Sequence, residues 1–195
     1  MKIVIVKYNA GNVTSVLHAL DRLGHQAHLS GDPDTILKAD KVIFPGVGEA
    51  NTTMQYLKTK GLDQVLLQCQ QPVLGICLGM QLLCLHSEEN DTDCLGIIPQ
   101  KVLRFHPEKG EKVPHIGWNT LHLSNHSWLE PSLENAYAYF VHSYYVELGP
   151  HTAASTDYIT TFSSCLQKDN YFATQFHPEK SGRIGEQILK NFLSL

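Results

Sequence analysis

The 195 residues carry no long apolar run, no paired-cysteine motif and no surplus of positive charge. A bilayer-spanning helix takes roughly 20 predominantly apolar residues. The longest candidate here, Val73 to Leu85 (VLGICLGMQLLCL), is shorter and broken by glycines. Met1-Lys2 leads straight into IVIV, too short for a signal-peptide core and without a small-residue cleavage site, so it reads as a first strand. The formal net charge of −4 leaves no electrostatic footprint for a phosphate backbone or an anionic membrane. Neither nucleic acid nor a membrane is expected as a partner.

Five cysteines, Cys69, Cys77, Cys84, Cys94 and Cys165, form an odd set without a CxxC pair. Neither a disulfide framework nor a zinc knuckle is indicated, and a reducing, cytoplasmic compartment is expected. No GxGxxG and no P-loop occurs, so no nucleotide cofactor is implied. His122 and His126 have i, i+4 spacing, but their segment has strand character and lacks a glutamate motif, so no metal site is expected.

What is present is enough for one α/β domain spanning residues 1–195. At about 150 residues per domain the length argues against a tandem. The 43% hydrophobic content supports a full core without staples. Lys2 to Tyr8 is strand-like, and Val13, Val16, Leu17, Leu20 and Leu23 then recur at helical spacing, with Asn12 as N-cap and Gly24 as stop. HQAHL (25–29) follows as a second strand, KVIFPG (41–46) ends in a Pro-Gly turn, a helix begins near Glu49, and QPVLGIC (71–77) runs into CLGMQLLCL. This alternation predicts a central, mainly parallel sheet flanked by helices. Beyond Gly96 the apolar runs shorten (KVLRF, HIGWNTLHL, AYAYFVHSYYVEL, YFATQF), and antiparallel strands are expected in the C-terminal half. Ile184, Ile188, Leu189 and Phe192 make one face of a closing helix that should cover the sheet.

The sharpest chemical signal is GICLG, a cysteine at a strand-to-helix junction with glycines two residues to either side. It has the form of a nucleophile elbow. Gly75 and Gly79 give the room that a strained nucleophile turn needs, and the helix start would favour the Cys77 thiolate. A base must accompany it. FHPEK occurs twice, at 105–109 and 176–180. His106 leads into the charged KGEK stretch and reads as surface loop. His177 follows the apolar run YFATQF, and an extended backbone would put Glu179 on its side to receive an imidazole N–H. Oxyanion donors would come from the Leu78 amide and from the PGVG turn at the end of a neighbouring strand. Aromatics around Trp118, Trp128 and Tyr137 to Tyr145 read as core or interface.

GICLGMQ around Cys77, the PGVG turn upstream and FHPEKS near the C-terminus together resemble the class I glutamine amidotransferases. Through YNAGNV (8–13), PGVGEA, GICLGMQLL, VPHIGWN and FVHSYYV the chain is similar, over essentially its whole length, to the glutaminase subunits of imidazole glycerol phosphate synthases. A GGES-type loop expected of pyridoxal phosphate synthase glutaminases is replaced here by PGVG. The resemblance implies the class I amidotransferase fold and L-glutamine as substrate. It assigns Cys77 as nucleophile, His177 as base and then acid, and Glu179 as orienting partner. It also implies an oxyanion hole from Val47, Gly48 and Leu78, and glutamine contacts from Gly46, Gln81, His142, Ser143 and Tyr144. The acceptor would be a separate (β/α)8-barrel cyclase subunit, docked near Asn12, Trp118 and Lys180 and receiving ammonia for histidine biosynthesis. Glutaminase activity would stay low until the cyclase is occupied, and glycines at 46 and 48 would permit the peptide flip that switches it.

Three other readings share parts of this pattern. A paralogue delivering ammonia to a sugar amidotransferase would keep the same catalytic residues. A non-catalytic regulatory subunit would not need Cys77, His177 and Glu179 intact. A cysteine protease would need a peptide groove that the sequence does not suggest.

Overall fold

Val4 and Val6 face one side of the first strand and Ile3 and Ile5 the other, and all four are fully buried. A strand apolar on both faces needs a layer above and below it. The computed structural model, which describes residues 1–8, 13–108, 110–124 and 127–195, supplies both.

The first half runs β1 (Ile3–Val6), α1 (Val13–Arg22), β2 (Ala27–Ser30), α2 (Pro33–Leu37), β3 (Lys41–Gly46), α3 (Ala50–Lys60), α4 (Leu62–Gln68), β4 (Val73–Cys77) and α5 (Leu78–Leu83). There follow β5 (Cys84–Ser87), β6 (Thr92–Asp93), β7 (Ile98–Arg104), β8 (His115–Thr120) and β9 (His122–Leu123). The chain then forms β10 (Tyr137–His142), β11 (Tyr144–Val146), β12 (Thr152–Asp157), β13 (Thr161–Lys168), β14 (Tyr171–Thr174) and α6 (Gly182–Leu193).

A twelve-stranded sheet has the order β2-β1-β3-β4-β14-β13-β11-β7-β5-β6, with β12 and β9 branching from β13. The pairs from β2 through β1, β3 and β4 to β14 are all parallel. Residues of α2 to α5 pack on Val4, Val42 and Phe44 on one face, and those of α1 and α6 on Ile3, Ile5 and Leu74 on the other. In α6, Ile188, Leu189 and Phe192 are buried, as their spacing predicts, while Ile184 packs at the edge.

The C-terminal half carries the expected antiparallel pairs, β8 with β10, β11 with β7 and β13, and β13 with β12 and β14, while β14 also pairs parallel with β4 and β7 with β5. Other expectations need correction. The apolar run from Tyr137 splits at Ser143. Its first part leaves to form a separate antiparallel ribbon with β8, and its second joins the main sheet beside β7. Pro45 and Gly46 continue β3 rather than turning, in register with Ile76 and Cys77. Pro45 lies beyond the last β1–β3 pair, so its missing N–H costs that ladder nothing. Helices α2 and α4, at 5 and 7 residues, are too short to show a helical period.

Candidate active site

Three parallel strands, β3, β4 and β14, end side by side and deliver Gly46, Cys77 and the Gln175–His177 segment to one edge. Cys77 sits at φ 54°, ψ −109°, a conformation an L-residue adopts only where its surroundings enforce it. Neighbouring backbone leaves no alternative. A Cβ added to Gly79 would fall 1.9 Å from the Phe44 carbonyl oxygen, and one on Gly75 would fall 2.9 Å from the Gly79 carbonyl. On Gly46 it would meet the Gly79 nitrogen at 2.8 Å. Gly75 and Gly79 therefore give the Cys77 turn its room, with Gly46 as an added member.

His177 leaves β14 with its N–H donating to the Tyr139 carbonyl at 3.0 Å. Ser181, absent from the sequence reading, fixes the same point: its hydroxyl donates to the His177 carbonyl at 2.7 Å and accepts from the Tyr139 N–H at 3.0 Å. Nδ1 of His177 lies 2.8 Å from Glu179 Oε1, both side chains being almost wholly buried. The route differs from the expected one. Pro178–Lys180 is a single 3₁₀ turn, because proline fits its first position, so Glu179 comes back beneath the ring instead of following along an extended strand. With the carboxylate on Nδ1, Nε2 is left without a hydrogen bond and lines the same pocket as Cys77. Burial lowers the imidazole pKa, but the Cys77 sulfur and Glu179 raise it more, to about 10 against an ordinary 6.5.

That pocket, of about 330 Å³, is lined by Val47, Gly48, Cys77, Leu78, Gln81, His142, Ser143, Tyr144 and His177 from the sequence-predicted set, and also by Glu89, Pro114 and Val141. Gly46 and Glu179 stand just behind it. Leu78 opens α5, where the first amides have no intrahelical partner. Gly48, at φ +119°, is in a conformation that side chains avoid. Gln81 donates to the Tyr144 carbonyl and to Gln175 Oε1, each at 3.0 Å, and Gln175 Nε2 in turn approaches Cys77 Sγ at 3.8 Å.

His142 lines the pocket without turning its ring toward it. Its imidazole points into the aromatic core among Phe105, Phe140 and Phe162, with both ring nitrogens hydrogen-bonded, so only its main chain can meet a ligand. Strand alternation explains this: Ala138, Phe140 and His142 face inward on β10, while Tyr137, Tyr139 and Val141 face outward.

Sequence reasoning missed Glu89, Gln175 and Ser181. Gln175 and Ser181 flank the FHPEK segment and could have been found from that proximity. Glu89 sits in the polar SEEND stretch, which has no period to read. It is half-buried, its carboxylate accepts from the Ala50 N–H at 2.8 Å, and burial raises its pKa.

The first FHPEK copy leaves Phe105 in the core but His106 exposed. Trp118 is 54% exposed, so it is not core, and with Ile116 and Tyr137 it forms an outward apolar patch on the β8–β10 ribbon. Lys180 is exposed in the turn after His177. Asn12, proposed as N-cap and interface residue, lies outside the described residues, as does His126. Among the described residues no cluster of metal-ligating side chains occurs, and no helix is long and apolar enough to cross a membrane.

The family model described as glutamine amidotransferase class-I matches residues 4–195. The chain is 57% identical over 196 residues to the imidazole glycerol phosphate synthase subunit HisH of Bacteroides thetaiotaomicron, covering 100% of both chains. To the protein of the same name from Idiomarina loihiensis it is 47% identical, covering all of this chain and 98% of the relative. Among solved structures, it superposes on a glutamine amidotransferase with a TM-score of 0.75 at 18% identity, covering 98% of this chain and 97% of the other. A chain of PurLQS from Thermotoga maritima superposes with a TM-score of 0.73 at 16% identity, covering 99% and 97%. These two likenesses carry the fold.

Proposed function

The chain belongs to the glutamine amidotransferase class-I family and is a glutamine-hydrolysing enzyme, and from that premise we propose that hydrolysis runs through Cys77, His177 and Glu179. Its role is that of the glutaminase subunit of an imidazole glycerol phosphate synthase, the part for which its full-length relatives are named. One observation carries the assignment of residues: Cys77 in its strained turn and His177, already bonded to Glu179, line one pocket.

The steps follow from these positions. Cys77 Sγ, its proton held by His177, attacks the carboxamide carbon of glutamine, and the carbonyl π electrons pass to oxygen, which the Leu78 amide and, once flipped, the Val47–Gly48 peptide receive. His177, whose raised pKa keeps the ring charged at neutral pH, gives its Nε2 proton to the departing nitrogen, releasing ammonia and leaving a glutamyl thioester. Water then attacks the thioester, losing a proton to His177, and collapse breaks the C–S bond, freeing glutamate and returning the Cys77 thiolate beside the charged His177 ring. Glu179 holds the Nδ1 proton throughout, so that Nε2 is the nitrogen that gives and takes. Glu89 supplies the pocket's carboxylate for the α-ammonium of glutamine, and the Ser143–Tyr144 corner, with the His142 main chain and Gln81, holds the rest.

Ammonia passes to a partner subunit, read here as a (β/α)8-barrel cyclase. Ile116, Trp118 and Tyr137 offer it an exposed apolar face, and Lys180, exposed in the turn after His177, is a charged contact for it. Glutamate release by the purified chain, alone and with a cyclase barrel and its ribulosyl substrate, tests this reading. Strong stimulation in the ternary mixture, abolished by Cys77→Ala with partner binding retained, is the expected result. Turnover surviving in Cys77→Ala would overturn it.

A further inference from the structure

Opposite each other on the β8–β10 ribbon stand two buried histidines, His115 and His142, that no step of glutamine hydrolysis uses. Nδ1 of His115 lies 3.1 Å from Nε2 of His142. The protons between them can be placed from both ends. His142 Nδ1 faces the Tyr144 carbonyl at 2.8 Å and must donate to it, which leaves Nε2 a bare acceptor. At the other end, Asn119 Oδ1 is taken by the Thr120 N–H at 2.8 Å, so its amide nitrogen is the group directed at the Asp157 carbonyl (2.8 Å) and at His115 Nε2 (3.4 Å). His115 therefore carries its proton on Nδ1, and every bond runs one way: Asn119 to His115 to His142 to the Tyr144 carbonyl.

The receiving carbonyl belongs to the pocket. Tyr144 O accepts from Gln81 as well as His142, and Gln81 continues through Gln175 to within 3.8 Å of Cys77 Sγ. The donating end belongs to the ribbon: His115 and Asn119 are the inward residues of the strand whose outward residues are Ile116 and Trp118. The His115 ring is also held as a packed plate, stacked at 4.0 Å on Tyr158 and 5.0 Å on Phe140.

We propose that His115 is a positioning residue for glutamine binding: its Nδ1–H fixes the tautomer of His142, which holds the Ser143–Tyr144 corner of the pocket from the partner-facing ribbon. The proposal rests on the reading of the Cys77 pocket as the glutamine site. It distinguishes a donor role from a packing role, because two substitutions separate these. His115→Phe keeps a stacking ring and removes the donor. His115→Asn gives up the ring and restores an N–H at the position of Nδ1.

The test is steady-state glutamate release from the chain in complex with a cyclase barrel and its ligand, with KM for glutamine and kcat measured for wild type and both variants. Losing one donor to a buried acceptor is expected to raise KM about tenfold in His115→Phe with kcat within about twofold, and His115→Asn should recover most of that loss. The reverse order, Phe harmless and Asn damaging, would overturn the proposal in favour of packing. Nitrogen NMR of the wild-type chain gives a readout independent of turnover and of variant folding: His142 must be protonated on Nδ1 and bare on Nε2, and the opposite tautomer also overturns it. If the wild-type complex releases no glutamate, or Cys77→Ala still does, the glutaminase reading fails instead, while the tautomer result continues to judge the histidine chain.

Discussion

Gly79 packs so closely on Phe44 that a Cβ added to the glycine would fall 1.9 Å from the Phe44 carbonyl oxygen. The oxygen is main chain and the position of a Cβ is fixed by its own backbone, so no rotamer change relieves the clash. Gly79→Ala should destabilise the fold by about 2 kcal/mol or more, lower Tm and remove glutaminase activity by shifting Cys77. Gly61, at φ +68° with open space around it, is the control. Gly61→Ala should cost only about 1–2 kcal/mol of backbone strain and leave activity intact. Thermal unfolding of the two variants checks the contrast, and equal losses of activity would count against the framing role.

The Glu179 carboxylate is one of two partners that raise His177, the other being the Cys77 sulfur. A histidine that gives its proton to ammonia fails once it is deprotonated, so the alkaline limb of activity should lie well above the ordinary imidazole range, toward pH 10. Glu179→Gln removes a raising influence and must move that limb to lower pH, with kcat falling by about tenfold or more from the misoriented ring. The kcat profile from pH 6 to 10.5 decides it. An unmoved limb would detach Glu179 from the chemistry.

Acid should loosen the molecule through its buried histidine pair. Burial lowers His115 to about 4, and burial, with smaller contributions from His115 and His177, lowers His142 to about 3. The unfolded chain takes up these protons near pH 6.5 and the folded chain does not, so stability falls as pH drops from about 6.5 toward 4. His142, the deeper of the two, contributes about 1 kcal/mol per pH unit in that window. Because asparagine does not titrate, His115→Asn should make Tm decline less steeply between pH 6.5 and 4.5. Parallel Tm curves for the two proteins would refute this.

The two FHPEK copies show how far the sequence could be read. Identical residues put His106 on an exposed stretch after β7 and His177 in a buried site, and only the flanks, KGEK against YFATQ, announced the difference. The parallel half of the sheet was legible because its strands are apolar on both faces and its helices α1 and α6 are periodic. The ribbon was not, because nothing in AYAYFVHSYYVEL marks Ser143 as the place where one run changes sheets. For the same reason the sequence did not show that His142 lines the pocket while its ring belongs to the core. Glu89 acts through a contact with Ala50, distant in sequence, which no local pattern records. His106→Ala should leave glutamate release within about twofold of wild type, whereas His177→Ala should reduce it by at least about 10³-fold, measured in the same coupled assay.

Tyr8 ties the start of the chain to the Val47–Gly48 turn, proposed above as an oxyanion donor. Its buried hydroxyl donates to the Pro45 carbonyl at 2.5 Å, and a Cβ on Gly46 would lie 2.6 Å from that same oxygen atom. Burial, with the nearby Cys77 sulfur, raises the phenol pKa and keeps it a donor throughout the working range. Pro45 and Gly46 lead directly into the Val47–Gly48 peptide, so the bond sets where that peptide begins. Tyr8→Phe should cost about 1 kcal/mol of stability and more in rate than in binding. A peptide that meets the substrate oxygen only as negative charge develops there affects kcat and leaves KM for glutamine nearly unchanged. A rise in KM with kcat preserved would instead place Tyr8 with the groups that hold the ground-state substrate, and would move the oxyanion contact away from the Val47–Gly48 turn.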